Sequence, residues 1–168
     1  MNNIVLIGMP ASGKSTAGVV LAKVLGKGFV DTDLIIQQRE QSRLCDIIAE
    51  RGVDGFLKCE EEAVLSLKTT NFVIATGGSV VYSENAMKYL SKLGRIFYLK
   101  VPKEDLFKRL RNIRQRGVVL KEGENLDQMF ESRSLLYEKY ADEIIEEKGS
   151  IEETVSSIVN KVNFQKNS

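Results

Sequence analysis

Residues Gly8-Met9-Pro10-Ala11-Ser12-Gly13-Lys14-Ser15 separate two stretches of different periodicity. Before them, Ile4-Val5-Leu6-Ile7 is apolar at every position; after them, Ala17, Val20, Leu21, Val24 and Leu25 recur at helical spacing up to Gly26. A short run without polar alternation marks a strand buried on both faces, and such strands belong to parallel sheets covered by helices. The i, i+3, i+4, i+7, i+8 pattern is one face of an amphipathic helix, and the glycine stops it. The intervening turn fits G-x-x-x-x-G-K-[ST] at every defined position. Its glycines let backbone N–H groups point inward around an anion, and the helix starting near Lys14 adds its positive N-terminal end. In such a loop the lysine reaches the β- and γ-phosphates of ATP and the following hydroxyl ligates Mg²⁺. The candidate nucleotide-binding residues are Gly8, Ala11, Ser12, Gly13, Lys14, Ser15 and Thr16. Lys14 is also counted as catalytic and Ser15 as a metal ligand. The loop leaves open whether water, a protein, a nucleic acid or a small molecule receives the phosphate.

The alternation of apolar runs and helical patterns continues along the chain. Gly28-Phe29-Val30 reads as a second strand, and residues 34–68 as two or three helices broken at Gly52 and Gly55. Phe72-Val73-Ile74-Ala75 is a third strand, followed by Thr76-Gly77-Gly78 and a helix capped by Ser83. Arg95-Ile96-Phe97-Tyr98-Leu99 makes a fourth strand, followed by a helix over residues 103–111. The polar segment 112–125 has neither periodicity and reads as a mobile lid. A long helix over residues 126–140, a short fifth strand over 143–147 and a final helix complete the series. Ser150 and Glu153 supply a capping box for that last helix, and the tail from Asn163 is expected to fray. Five short strands alternating with helices specify an α/β, three-layer P-loop fold around a five-stranded parallel sheet. No repeat or linker divides residues 1–168, so one domain is expected.

Composition narrows the chemistry. A net charge of +1 supplies no global field for nucleic acid or anionic lipid, so neither is an expected partner. The start Met1-Asn2-Asn3 has no cationic or signal-like segment, which leaves a cytoplasmic address as the expectation, and a monomer is expected. Cys45 and Cys59 form no C-x-x-C pair and read as reduced thiols. The chain contains no histidine, so any general base is Asp, Glu or Lys.

After the second strand comes Asp31-Thr32-Asp33, at the carboxyl end of a strand, where open α/β sheets place their ligands. In an extended stretch side chains at i and i+2 share a face, so one carboxylate would look toward metal-bound water and Asp33 toward an acceptor hydroxyl, whose proton it takes. The competing reading makes Asp31 a helix cap and Asp33 a solvated first-turn acid. Gly77 and Gly78 follow the third strand at the same sheet edge, where bare backbone either approaches a ligand or simply turns. Arg133 falls inside the apolar stripe of Met129, Phe130, Leu136, Tyr137 and Tyr140. It either meets an anionic partner or snorkels to water. The basic run Lys108, Arg109, Arg111, Arg114 and Arg116 is either a solvated face or part of a lid that brings Arg116 onto the phosphates as a catalytic group and excludes water.

Taken together, the chain resembles the shikimate kinase family over nearly its whole length. The matching features are the phosphate loop, Asp31-Thr32-Asp33, Phe56 with Glu60, Thr76-Gly77-Gly78, Arg116, and Arg133 followed by Leu136-Tyr137. The resemblance implies a nucleoside-monophosphate-kinase-like fold and transfer from ATP to the 3-hydroxyl of shikimate, a small-molecule partner. It also implies Asp31 near Mg²⁺, Asp33 on the acceptor hydroxyls, Gly77 and Gly78 along the acceptor, Arg133 on its carboxylate and Arg109 beside the adenine. Three positions depart from the family pattern: Leu57 where an arginine follows the phenylalanine, Ser79 as the third residue of a glycine triplet, and Gly117 after the lid arginine. The loss at Leu57 removes one of two clamps on the acceptor carboxylate, each charge-assisted bond contributing roughly 1.5 to 3 kcal/mol. The alternatives are a kinase for a related polyol or sugar acid, and a nucleotide-binding regulatory protein that has lost transfer.

Overall fold

The computed structural model describes residues 2–110, 118–147 and 149–164. Strands β1 (Asn3–Ile7), β2 (Gly28–Asp31), β3 (Phe72–Ala75), β4 (Gly94–Lys100) and β5 (Glu143–Glu146) form one sheet in the order β2-β3-β1-β4-β5. All pairings are parallel, with Val5 opposite Ile74 on one side and Ile96 on the other. Every residue of β1 is buried, as its unbroken apolar run requires. Helices α1 (Lys14–Leu25), α2 (Thr32–Glu40), α3 (Leu44–Leu65), α4 (Glu84–Leu93), α5 (Lys103–Leu110), α6 (Leu126–Tyr140) and α7 (Ile151–Phe164) connect and follow the strands.

Side chains alternate between the two faces of the sheet, and each face has its own core. Val5, Ile7, Ile74, Ile96 and Tyr98 pack with Val64 of α3, Met87 and Leu90 of α4, Leu106 of α5, and Met129 and Tyr137 of α6. Ile4, Leu6, Val73, Phe97 and Leu99 pack with Ala17 and Leu21 of α1 and with Val155 and Ile158 of α7. The result is the expected three-layer arrangement. Among the described residues no helix is long and apolar enough to cross a membrane.

Several details differ from the sequence expectations. The buried face of α1 is Lys14, Ala17, Gly18, Leu21 and Ala22, while Val20 and Val24 are 37% and 58% exposed. Small residues set this face: a Cβ on Gly18 would lie 2.7 Å from the Phe29 ring, so the helix sits close to the sheet through Gly18. After β2 the expected break at Gly52 is present, so that α3 is two helical segments meeting at a kink. Gly52, at φ 69°, kinks α3, whereas the helix continues through Gly55. At α7 the Ser150 hydroxyl accepts from the Glu153 N–H, supplying the cap, and the helix runs on through Asn163 and Phe164. Arg111, Arg114, Arg116 and Gly117 lie outside the described residues. Of the second part of the expected lid, residues 118–120 pack down, with Val119 3% exposed against Ile36, Ile47 and Phe56, while Lys121, Glu122, Gly123 and Asn125 are exposed.

The chain leaves β3 and crosses β1 to build β4, so the carboxyl ends of β1 and β3 flank the point where the winding direction reverses. That crevice is the usual ligand position in such sheets.

Candidate active site

The loop after β1 is held open by backbone geometry. Gly8 has φ 150° and sits so close to the next strand that a Cβ would lie 2.8 Å from the Leu99 carbonyl oxygen. Gly13, at φ 82°, is the N-cap of α1 and offers no side-chain hydrogen bond to it, and the first turn of α1 carries no acid. The first N–H groups of α1 are therefore left to an external anion. The Lys14 ammonium donates to the carbonyls of Gly8 (2.9 Å) and Met9 (2.7 Å) and to Ser12 Oγ (3.2 Å), folding the side chain back over its own loop. Burial lowers its pKa to about 8, against the upward pull of Asp33 and Asp31. A lysine so desolvated gains from any polyanion brought against it.

Asp31 is the helix cap that one of the two readings expected, and its other oxygen turns to the phosphate loop. Oδ1 accepts from the Asp33 N–H at 2.9 Å as the N-cap of α2, and Oδ2 accepts from Ser15 Oγ at 2.5 Å. A hydroxyl and a carboxylate thus converge beside the phosphate loop, a hard-oxygen set that suits a small divalent cation sharing phosphate oxygens. The shared-face argument for Asp31 and Asp33 does not hold, because Asp31 is extended and Asp33 already lies in the first turn of α2. Asp33 reaches the site from the helix start. It keeps partial solvent access, yet its dense surroundings raise its pKa to about 6, with the Asp31 charge adding and Lys14 opposing.

One cavity of about 500 Å³ collects these groups. Its wall includes Ala11, Gly13, Lys14, Ser15 and Thr16 on the loop side and Asp33, Gly77 and Gly78 opposite. Gly8, Ser12, Asp31, Arg109 and Arg133 support that wall from behind or beside it. Arg133 is 1% exposed and does not snorkel. Its Nε donates to the Tyr82 hydroxyl at 3.2 Å, its Nη2 donates to the carbonyl of Val119, and Val119 lines the cavity. Arg109 bridges Ala11 O (3.3 Å) and both Glu147 oxygens (2.9 Å each), outside the phosphate loop.

Sequence reasoning left several contributors outside its candidate set. Glu60 and Phe56, one turn apart on α3, form part of the wall, and burial pushes the Glu60 carboxyl up to about 8. Tyr137 donates its hydroxyl to the Gly78 carbonyl at 2.5 Å, and Thr32 Oγ1 accepts from the Gly77 N–H at 3.2 Å, so both glycines are fixed from outside. Gly77 is bare for a steric reason: a Cβ there would lie 2.1 Å from Glu60 Oε1 and 2.8 Å from Asp33 Oδ1. Leu57 is half-buried and is not among the residues lining the cavity. Cys45 and Cys59 are free thiols, as expected.

A phosphate loop on a five-stranded parallel sheet, facing a second acidic wall across one cavity, defines a P-loop kinase of the nucleoside-monophosphate-kinase-like type. The family profile described as shikimate kinase matches residues 10–163. The chain belongs to the shikimate kinase family, and is therefore a transferase that uses ATP. A shikimate kinase of Clostridium botulinum (strain ATCC 19397 / Type A) is 40% identical over 144 residues, covering 83% of this chain and 84% of that relative. The crystal structure of shikimate kinase from Aquifex aeolicus matches with a TM-score of 0.83 at 31% identity, covering 96% of each chain. Shikimate kinase from Acinetobacter baumannii in complex with shikimate matches with a TM-score of 0.91 at 27% identity, covering 100% of this chain and 96% of that one.

Proposed function

We propose that this chain transfers the γ-phosphoryl group of ATP to the 3-hydroxyl of shikimate, with Asp33 as the group that orients the hydroxyl and takes its proton. The observation that carries this reading is the placement of Asp33 and Lys14 on the wall of one cavity, an acid of pKa about 6 facing a phosphate-loop lysine. At neutral pH Asp33 is mostly ionised, as a proton acceptor must be, and its raised pKa makes it a stronger base than a solvated carboxylate. Lys14, turned from the loop carbonyls onto the β- and γ-phosphates, offsets the charge that builds as the bond to the leaving oxygen breaks.

Gly8, Ala11, Ser12, Gly13, Ser15 and Thr16 complete the nucleotide side, with Arg109 beside the base. Mg²⁺, when bound, neutralises phosphate charge, and Ser15 with Asp31 would hold it. Gly77 and Gly78 line the acceptor with bare backbone. Arg133, turned from the Val119 carbonyl, would hold the shikimate carboxylate, and Arg116 closes over the phosphates from a lid approximately over residues 112–125. The unit is read as a single cytoplasmic domain acting as a monomer.

A coupled assay of ADP release with ATP-Mg²⁺ and shikimate tests the reading. Turnover well above the ATPase background is expected. A rate no higher than background removes shikimate as the acceptor and leaves the kinase class standing. A screen of other hydroxylated acids then distinguishes a related polyol acceptor, which Leu57 outside the cavity wall would favour.

A further inference from the structure

Glu60 projects from α3 with 1% exposure, and Ser79 follows Gly78 with 3% exposure. The Ser79 hydroxyl donates to Glu60 Oε2 at 2.6 Å. Glu60 Oε1 is buried and has no hydrogen-bond partner among the described residues. It borders the same bare backbone at Gly77 as Asp33 Oδ1, and Glu60, Ser79, Gly77 and Asp33 all line the cavity.

A glutamate carboxyl rotates freely about its last torsion, which has broad two-fold minima. Among the described residues the bond from Ser79 is the hydrogen bond that fixes this rotation for Glu60. The charged groups facing Glu60 are Asp33 on α2, Arg133 on α6 and Lys14 on α1. Turning the carboxyl would change its distance to all three. Burial keeps Glu60 largely protonated at neutral pH, so the group can donate as well as accept. An unpartnered polar atom in so dry a place is costly unless a ligand completes it.

We propose that Ser79 is a positioning residue for the acceptor: its hydroxyl locks the Glu60 carboxyl so that Oε1 is held under Gly77 and beside Asp33, and with it the stretch of wall against which the acceptor hydroxyls lie. The inference rests on the phosphotransfer reading above. It assigns a task to a residue whose side chain the family pattern lacks.

Steady-state kinetics on the full chain, varying acceptor and ATP in turn, tests it. Wild-type turnover with shikimate is measured first. Its absence counts against the acceptor reading alone, and the comparison then moves to whichever hydroxylated acid stimulates ATP consumption. Ser79→Ala is expected to raise the acceptor KM about tenfold, with kcat and the KM for ATP within about twofold of wild type. In a Glu60→Met background, where no carboxyl remains to be held, Ser79→Ala is expected to change the acceptor KM by less than about twofold. An unchanged KM, a fall in kcat alone, or the same KM rise in both backgrounds overturns the proposal. Thermal melting checks folding, and Ser79→Gly replaces the alanine variant if that variant does not fold.

Discussion

Glu60 and Arg133 are ionisable side chains, each 1% exposed, projecting from α3 and α6 toward the same cavity wall. Burial raises the Glu60 pKa from an ordinary 4.5 to about 8, so the folded protein holds this proton over a pH range in which the unfolded chain has released it. Stability therefore falls as pH rises from about 4.5 to about 8 and is level above that, as far as this group is concerned. Glu60→Gln imitates the protonated form at every pH and still accepts from Ser79. Its melting temperature should match wild type near pH 4 and exceed it by several degrees above pH 8. Parallel melting curves across that range would contradict a buried, proton-holding Glu60. At Asp33 the expected effect is on chemistry instead: Asp33→Asn should lower kcat on the order of 10² to 10⁴-fold, while ATP titrations show binding retained. The rule that singled out Arg133, a charge inside an apolar helical stripe, applies equally to Glu60, which lies at helical spacing from the buried Phe56, Ala63 and Val64. Its burial was thus legible from spacing alone. The Ser79 contact was not, because it joins residues 19 apart through a turn whose shape only the fold determines.

Elements with strong local signals were readable from sequence almost to the residue. Gly26 ends α1 at φ 63°, Ser83 caps α4 by accepting from Ala86 N–H, and the apolar runs became strands. Local signals misled where packing overrode them. Val20 and Val24 satisfy a helical period, yet α1 approaches the sheet through Gly18, and close approach at a small residue determines which face is buried. Gly55 remained helical because a single glycine costs a helix only about 1 kcal/mol, which surrounding burial offsets. Helix α6 carries Arg133 and begins with a reciprocal capping box, in which Asn125 and Gln128 exchange bonds of 2.9 Å. Asn125→Ala should lower stability by about 1 kcal/mol and the melting temperature by about 2 to 4 °C. Because Arg133 lies two turns further on and is held by Tyr82 and Val119, kcat at saturating substrates should change little. A large fall in kcat at unchanged stability would mean that the start of α6 takes part in the site directly.

At the scale of the whole molecule, the sheet places the phosphate loop and the acceptor wall on opposite sides of one cavity, but they belong to segments with different anchors. The loop is tied to β1 and α1 and lies close against the Leu99 carbonyl, whereas Glu60, Asp33 and Gly77 hang on α3, the start of α2 and the end of β3. A ligand that spans both therefore adds to the Ser15–Asp31 hydrogen bond and the close approach of Gly78 to Pro10 in linking the two sides. Any ligand bound only by the folded state stabilises it by RT ln(1 + [L]/Kd), about 2.7 kcal/mol at a hundred times Kd. For a chain of 168 residues this corresponds to a melting shift of roughly 5 to 10 °C. ATP-Mg²⁺ alone should give such a shift through the loop, and EDTA should reduce it if Ser15 and Asp31 hold the ion. A non-hydrolysable ATP analogue with Mg²⁺ and shikimate should raise melting further than either ligand alone. Asp33→Asn should keep most of the nucleotide shift and lose part of the shikimate increment. If instead the nucleotide shift disappears in Asp33→Asn while the shikimate shift persists, Asp33 belongs to the nucleotide side of the cavity and the assignment of the two walls is reversed.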